Sequence, residues 1–263
     1  MENKKNNEGK YIYGIIRHQG TIDFGPIGIG KRGDQVYGIG YKDICAIVSN
    51  SPLVQYEARR ANLTAHELVL EEVMKHYSVL PVRFSTIADI NDDADLVKIL
   101  ERDYNQFSEM LTLIDRKKEL GLKVTAIEKN IFGYILEKHS EIREMKEKIM
   151  HLPPDKTHYQ RMKIGEMVSV ALQKEKELLK ERILEHLTPF CEDSRVNDNY
   201  GDRMVLNASF LVCNNKESEF DKAVFELDEQ LGELLNFKYV GNLPPYNFVN
   251  MAINIENKEN ADN

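Results

Sequence analysis

The chain of 263 residues has no tryptophan and only three cysteines, Cys45, Cys191 and Cys213. Three scattered thiols exclude a disulfide framework and a CxxC metal site, and they suit a reducing compartment. Positive charge is not in excess: 35 Lys and Arg stand against 43 Asp and Glu, a net charge of −8. That balance argues against a general nucleic-acid binder, because affinity for phosphate backbones comes from clustered cations that release counterions. Long apolar runs are missing as well. The longest uncharged stretch, Tyr239 to Ile255, is broken by Pro244, Pro245 and four Asn, and it falls short of the roughly 20 apolar residues that a membrane span needs. Met1 to Lys10 is polar, without the apolar core of a signal peptide. The expected location is cytoplasmic, with neither membrane nor nucleic acid as a partner.

What is present suits a globular protein: 42% of residues are apolar and 30% charged, enough to bury a core. At about 150 residues per domain, the length suggests two domains. Divided after residue 118, the first part has 16 basic and 17 acidic residues and the remainder 19 and 26, so the acidity belongs to the second part.

After a polar tail (1–10), Tyr11 to Ile16 is a β-branched and aromatic run that reads as a strand. A glycine-rich loop follows from Gly20 to Gly33, then a hairpin of Val36–Ile39 and Ile44–Val48. Thr64 with Glu67 has capping-box spacing, and it predicts a helix whose stripe includes Leu68, Val69, Val73 and Tyr77. Pro81 makes Val79–Phe84 extended. Asp92 or Asp93 caps the next helix, which carries Leu96, Leu100, Phe107, Leu111 and Ile114 and ends near Leu120-Gly121, Gly being the expected C-cap. From there the pattern predicts a strand at Leu122–Glu128, a charged helical stretch over 130–150, and a long helix from Tyr159 to Leu187. Then come a weak strand at Ser194–Val196, a strong one at Met204–Cys213, a helix through Phe220 and Leu234, and extended segments at Phe237–Val240 and Phe248–Ile255. The second half thus runs β, α, β, β, α, β with an extra helical insert, the split-βαβ order. The expected fold class is α+β, with domains at 11–120 and 121–255 and a disordered tail at 256–263.

Most candidate chemistry dissolves on inspection. Gly28-Ile29-Gly30-Lys31-Arg32-Gly33 spells a dinucleotide fingerprint, but a strand-like segment follows where a helix N-terminus should hold the pyrophosphate. Asp89 to Asp93 opens like a calcium loop, yet Ala94 and Leu100 occupy the positions of the required Gly and Glu; helix capping by these acids is the better reading. His66 and His76 share a helix but lie about 15 Å apart along it, too far to share a metal. Each reads as a surface or partly packed histidine. No nucleophile elbow or Walker loop is present, and no cofactor is expected. The long amphipathic helix mixes Lys with Glu, which favours packing over a lipid surface.

One segment is less easily dismissed. Gly241 to Val249 is uncharged and joins a proline pair to two aromatics. Either the prolines turn the chain so that Tyr246 and Phe248 plug a core, or a stiffened segment offers aromatics to a partner. Pro244, Pro245, Tyr246, Asn247 and Phe248 are therefore the candidate partner-binding residues.

Four segments together carry a family resemblance: Tyr11–Ile16, Val79–Phe84, Asn207–Val212 and Pro244–Val249. In this order the chain resembles the gas vesicle protein F/L family. It departs from the family pattern at Leu243, where a Trp usually precedes the proline pair, and at Ser85, where Gly is common. The resemblance implies two α+β domains, the second a modified ferredoxin-like fold. It also implies a non-enzymatic role in gas vesicle formation, with the small hydrophobic shell protein and other gas vesicle accessory proteins as partners, at a cytoplasmic site associated with the vesicles. The chain would act as an assembly factor or as a minor vesicle component. Two other classes are weighed beside it. An enzyme would need His66, Arg83 and a carboxylate to converge in a pocket; a small-molecule-sensing module would rest on fold analogy alone.

Overall fold

The computed structural model describes residues 8–90 and 92–249. The expected tail at 256–263, residues 1–7 of the N-terminal tail and the segment 250–255 lie outside the described residues. Glu8 to Lys10 open the first strand. The chain divides into two compact units, Met1–Glu119 with Asn242–Asn263, and Leu120–Gly241.

The first unit contains β1 (Glu8–Arg17), β2 (Asp23–Gly25), β3 (Val36–Tyr41), β4 (Ile44–Pro52), α1 (Arg60–Met74), β5 (Val79–Pro81), β6 (Ile87–Ala88), α2 (Asp93–Arg102) and α3 (Tyr104–Ile114). Its sheet runs β2-β3-β4-β1-β5, with β6 also pairing β1. The β3–β4 hairpin pairs Tyr41 with Ile44, so Lys42 and Asp43 make the turn, with Lys42 at φ 53°.

Strand β1 is buried on both faces, which is why it reads as an almost unbroken apolar run. Tyr11, Tyr13 and Ile16 pack with Val69, Leu70 and Val73 of α1. Ile12 and Ile15 pack on the other side with Leu96, Leu100, Phe107 and Leu111 of α2 and α3. Strict alternation would send Ile15 to the side of Tyr13. A register shift between Ile12 and Gly14 inserts one residue and reverses the parity.

Three local expectations are corrected. Helix α1 begins at Arg60 with Arg59 as N-cap and no side-chain cap, so Thr64 lies inside the helix. The helix after Asp92 is two helices, α2 and α3, that meet at Asp103. Asp92 does cap α2, accepting from the Ala94 N–H at 3.0 Å. Gly121 is not a C-cap, because α3 ends at Ile114 and Gly121 sits within the next strand.

That strand, β7 (Lys117–Ala126), leads into α4 (Glu128–Lys138), α5 (Ser140–Met150), α6 (His158–Leu187), β8 (Asp193–Val196), β9 (Met204–Cys213), α7 (Glu217–Leu231) and β10 (Leu235–Leu243). The second sheet is ordered β10-β7-β9-β8, which is 4-1-3-2 when its strands are counted along the chain. Leu122 and Val124 of β7, Leu206 and Phe210 of β9, Ile183 of α6, and Phe220 and Leu227 of α7 form one core. A smaller cluster, Ile135, Ile142 and Ala171, ties together α4, α5 and α6. Beside it Glu175 is buried, and Lys138 Nζ donates to its carboxylate at 2.5 Å. Burial opposes ionisation of Glu175. The hydrogen bond and charge of Lys138, joined by hydrogen bonds from Tyr134 and His139, together outweigh it and hold the carboxyl below its usual range.

Two glycines give opposite expectations. A Cβ on Gly165, within α6, would meet nothing within 4 Å, whereas on Gly14 of β1 it would lie 2.7 Å from Val79 Cγ1 and 2.9 Å from the Leu80 carbonyl. Gly165→Ala should stabilise by about 0.5–1 kcal/mol through helix propensity. Gly14→Ala should destabilise by about 1–3 kcal/mol through overpacking. Thermal melts of the two variants check this, and shifts of the same sign would refute the packing described for β1.

Candidate functional site

The C-terminal stretch selected from the sequence belongs to the first unit, and its anchorage centres on His66. Helix α1 buries His66, Val69, Leu70 and Val73, an i, i+3, i+4, i+7 stripe in which the histidine takes a core position. Leu68, expected in the stripe, is exposed. His66 is 1% exposed rather than at the surface or partly packed as expected. Its ring stacks on Tyr13, with centroids 5.7 Å apart and an interplanar angle of 27°.

Both imidazole nitrogens are engaged. Nδ1 lies 3.0 Å from the Tyr11 hydroxyl and Nε2 lies 2.9 Å from the Tyr246 hydroxyl. The Ser85 N–H donates to the Tyr11 oxygen at 2.8 Å, and the Tyr246 hydroxyl donates to the Val82 carbonyl at 3.4 Å. These flanking bonds assign the direction of the rest: Tyr11 donates to Nδ1, and Nε2–H donates to Tyr246. The neutral Nε2–H tautomer satisfies every member of this chain. A protonated ring would need a second acceptor at Nδ1, where Tyr11 already takes the Ser85 N–H. Burial accordingly depresses the His66 pKa to about 4, and it raises those of Tyr11 and Tyr246 well above the ordinary phenol value.

Ser85 occupies a backbone position with φ 65°, the left-handed region that favours Gly. Its side chain offsets the strain: Oγ accepts from the Tyr56 N–H at 2.9 Å. Nearby, Tyr13 accepts from the Ile29 N–H at 2.8 Å and shares a bond of 2.9 Å with Ser49. The glycine loop thus wraps onto this cluster, with Gly30 at φ 92° and Gly33 at φ 73°.

A second clamp holds the same segment. The buried Glu119 carboxylate accepts from the Asn247 N–H at 3.0 Å and from Asn247 Nδ2 at 2.5 Å. Pro244 and Pro245 are buried, and the chain turns tightly on them, with Phe248 and Val249 N–H both donating to the Pro245 carbonyl. Phe248 lies in this turn, not in an extended segment. Val249 enters the core under α2 and α3. Tyr246 is 37% exposed as a residue although its hydroxyl faces inward, Asn247 is exposed and Phe248 is partly buried. The five candidate residues therefore divide between anchors and an outward face. The His66 network was missed in the sequence because one histidine and three tyrosines spread over 235 positions carry no spacing signal.

This arrangement is poorly suited to acid–base chemistry. A general base needs a pKa near the working pH and a free lone pair, and His66 has neither. Arg83 is exposed. Among the described residues no group of three or more His, Cys, Asp or Glu is placed to hold a metal ion, and no helix is long and apolar enough to cross a membrane. An open cleft of about 530 Å³ in the second unit is lined by Thr125, Ile127, Glu128, Tyr200, Asp202 and Arg203. Arg203 there faces Glu128 at 4.0 Å.

A family model described as gas vesicle synthesis protein GvpL/GvpF matches residues 9–250. The chain belongs to this family. It is 30% identical over 240 residues to gas vesicle protein F of a Streptomyces species, covering 91% of this chain and 98% of the relative. It is 24% identical to gas vesicle protein F of Dolichospermum flosaquae, covering 92% and 97%. Its fold is similar to the crystal structure of GvpF from Anabaena sp. PCC7120, with a TM-score of 0.79 at 22% identity over 93% of this chain and 99% of that one. The GvpF structure from Microcystis aeruginosa gives 0.70 over 92% and 99%, again at 22% identity. The chain is thus a mixed α+β member of a family of gas vesicle formation.

The buried imidazole makes stability depend on pH. With a folded pKa near 4 against an ordinary value of 6.5, the neutral ring's contribution is complete above 6.5. It is lost as the pH falls from 6.5 towards 4, about 3 kcal/mol in all. His66→Gln, which keeps a donor for Tyr246 but does not titrate, should flatten this part of the profile. Chemical denaturation at several pH values checks it, and an unchanged slope in the variant would overturn the assignment.

Proposed function

We propose that this chain is a non-enzymatic accessory protein of gas vesicle assembly that binds the small hydrophobic shell protein during nucleation or growth. It would work as a chaperone-like assembly factor beside other gas vesicle accessory proteins, in the cytoplasm and associated with the vesicles. The observation that carries this reading is the family match across residues 9–250. A shell subunit exposes apolar surface and unpaired strand edges before it polymerises, and it would aggregate unless held. The net charge of −8 would keep such a complex soluble.

We place the contact at Pro244, Pro245, Tyr246, Asn247 and Phe248. The buried prolines and the bonds to His66 and Glu119 hold this segment rigidly, while the Tyr246 ring and Asn247 face outward. A preorganised aromatic face loses little entropy on binding. Strand β10 stands at the margin of its sheet and supports a second possibility for the same role, strand addition by the subunit. We further read the two units as two domains with a chain boundary near residue 120. The 4-1-3-2 strand order supports a modified ferredoxin-like second domain with α4 to α6 as the enlarged helical part.

Co-expression and pull-down with the shell protein test the proposal. Phe248→Ala should reduce the retained shell subunit about tenfold and shift the melting temperature by only a few degrees. Tyr246→Phe, which loses one end of the His66 relay, should instead lower stability by about 1 kcal/mol with little effect on capture. Failure of the parent chain to retain the shell protein at mild salt would refute the function; full retention by Phe248→Ala would refute the site.

A further inference from the structure

Helices α5 and α6 pack on each other through Ile142, Ile164, Val168 and Ala171, and residues 151–157 join them at one end. There Thr157 is buried and hydrogen-bonds back to the Pro153 carbonyl at 3.2 Å, closing the hairpin. Apolar side chains at this end point outward: Met150 is 59% exposed, Leu152 50%, Tyr159 73% and Met162 54%. Tyr159 and Met162 are three apart on one helix face. Four large apolar groups within 13 residues exceed the scattered exposure that needs no explanation.

The charges around them are one-sided. Residues 143–163 contain Arg143, Lys146, Lys148, Lys156, Arg161 and Lys163 against Glu144, Glu147 and Asp155, and the excess lies in residues 148–163, where four cations stand against Asp155 alone. All six cations are exposed. Arg161 bonds to the Thr157 hydroxyl at 2.9 Å; among the described residues none of the six is within 4.0 Å of a carboxylate. Elsewhere cations commonly find one, as in Lys138 with Glu175 and Lys180 with Glu177. In a chain of net charge −8, this hairpin end thus joins exposed apolar side chains to an excess of exposed cations.

We propose that the closed end of the α5–α6 hairpin is a docking face for an acidic amphipathic segment of a partner protein. The partner's apolar side covers Met150, Leu152, Tyr159 and Met162, and its carboxylates meet the surrounding Lys and Arg. Methionine and tyrosine suit this use, being adaptable and amphipathic respectively. Nucleic acid fits less well, since the apolar centre has no counterpart on a phosphate backbone. An anionic membrane also fits less well. The apolar groups come from two helix ends and a turn rather than one continuous helix face that could lie in the interface. This face is distinct from the segment at 244–248, and the inference does not depend on the shell protein.

The test uses the full chain and a fluorescein-labelled peptide of about 18 residues, built from Leu at helical spacing and Glu. Comparisons are its Lys counterpart, phosphatidylglycerol vesicles and a DNA duplex of about 20 base pairs. The Glu peptide should bind and the Lys peptide should not. Lys148→Glu with Lys156→Glu and Lys163→Glu, and separately Tyr159→Ser with Met162→Ser, should each weaken binding roughly tenfold or more. Lys222→Glu, on α7, should leave it unchanged. If either set loses its melting transition, the other decides. Equal binding of both peptides, affinity indifferent to both sets, or binding only to vesicles or DNA would overturn the proposal.

Discussion

The first unit depends on one buried imidazole whose two nitrogens are claimed by tyrosines from opposite ends of the chain. Tyr11 comes from the first strand, Tyr246 from the last described turn, and His66 from the helix between them. In water each of these groups would be satisfied by solvent, so the bonds add little by themselves. Buried, they are obligatory, because an unmatched donor or acceptor would cost the full desolvation penalty. The network therefore acts as a specificity device. It admits one tautomer of His66, one rotation of the Tyr246 hydroxyl and one path for the chain between Asn242 and Val249. The Glu119–Asn247 clamp fixes the same path by a second, independent set of bonds.

The second unit is built on different physics. Its strands and helices are specified by periodic apolar residues, and its buried polar groups, Thr157, Glu175, Lys176, Asn207 and Ser209, are met by separate partners instead of sharing one network. Glu175 is matched by Lys138, and Lys176 by the Asp202 carbonyl at 2.8 Å. Within each unit the proposed contact face rests on a rigid support: the C-terminal aromatics on a hydrogen-bonded turn, and the hairpin end on a packed helix pair.

Legibility followed the range of the interactions. Strands β1, β4 and β9 and helix α6 were readable because their burial imposes a regular pattern on adjacent residues. The start of α1 was not. Thr64 and Glu67 have capping-box spacing, yet the helix begins at Arg60 without a side-chain cap, since packing of Val69, Leu70 and Val73 stabilises it regardless of local signals. Gly121 looked like a helix stop, but the strand that contains it needs only that its neighbours Leu120 and Leu122 reach the core. The bulge in β1 left no trace, because the sequence is apolar on both sides of it and either parity would read alike.

The C-terminal segment shows the same division most clearly. Its composition, two prolines and two aromatics without a charge, marked it by sequence alone, and with three other segments it indicated the family. Local chemistry also made the prolines turn the chain. Whether Tyr246 is core or surface was beyond the sequence, because the answer lies in partners 164 and 180 residues away. Only the tertiary structure decided that its hydroxyl faces the core while part of the residue stays at the surface, by bringing the buried His66 Nε2 to 2.9 Å from it.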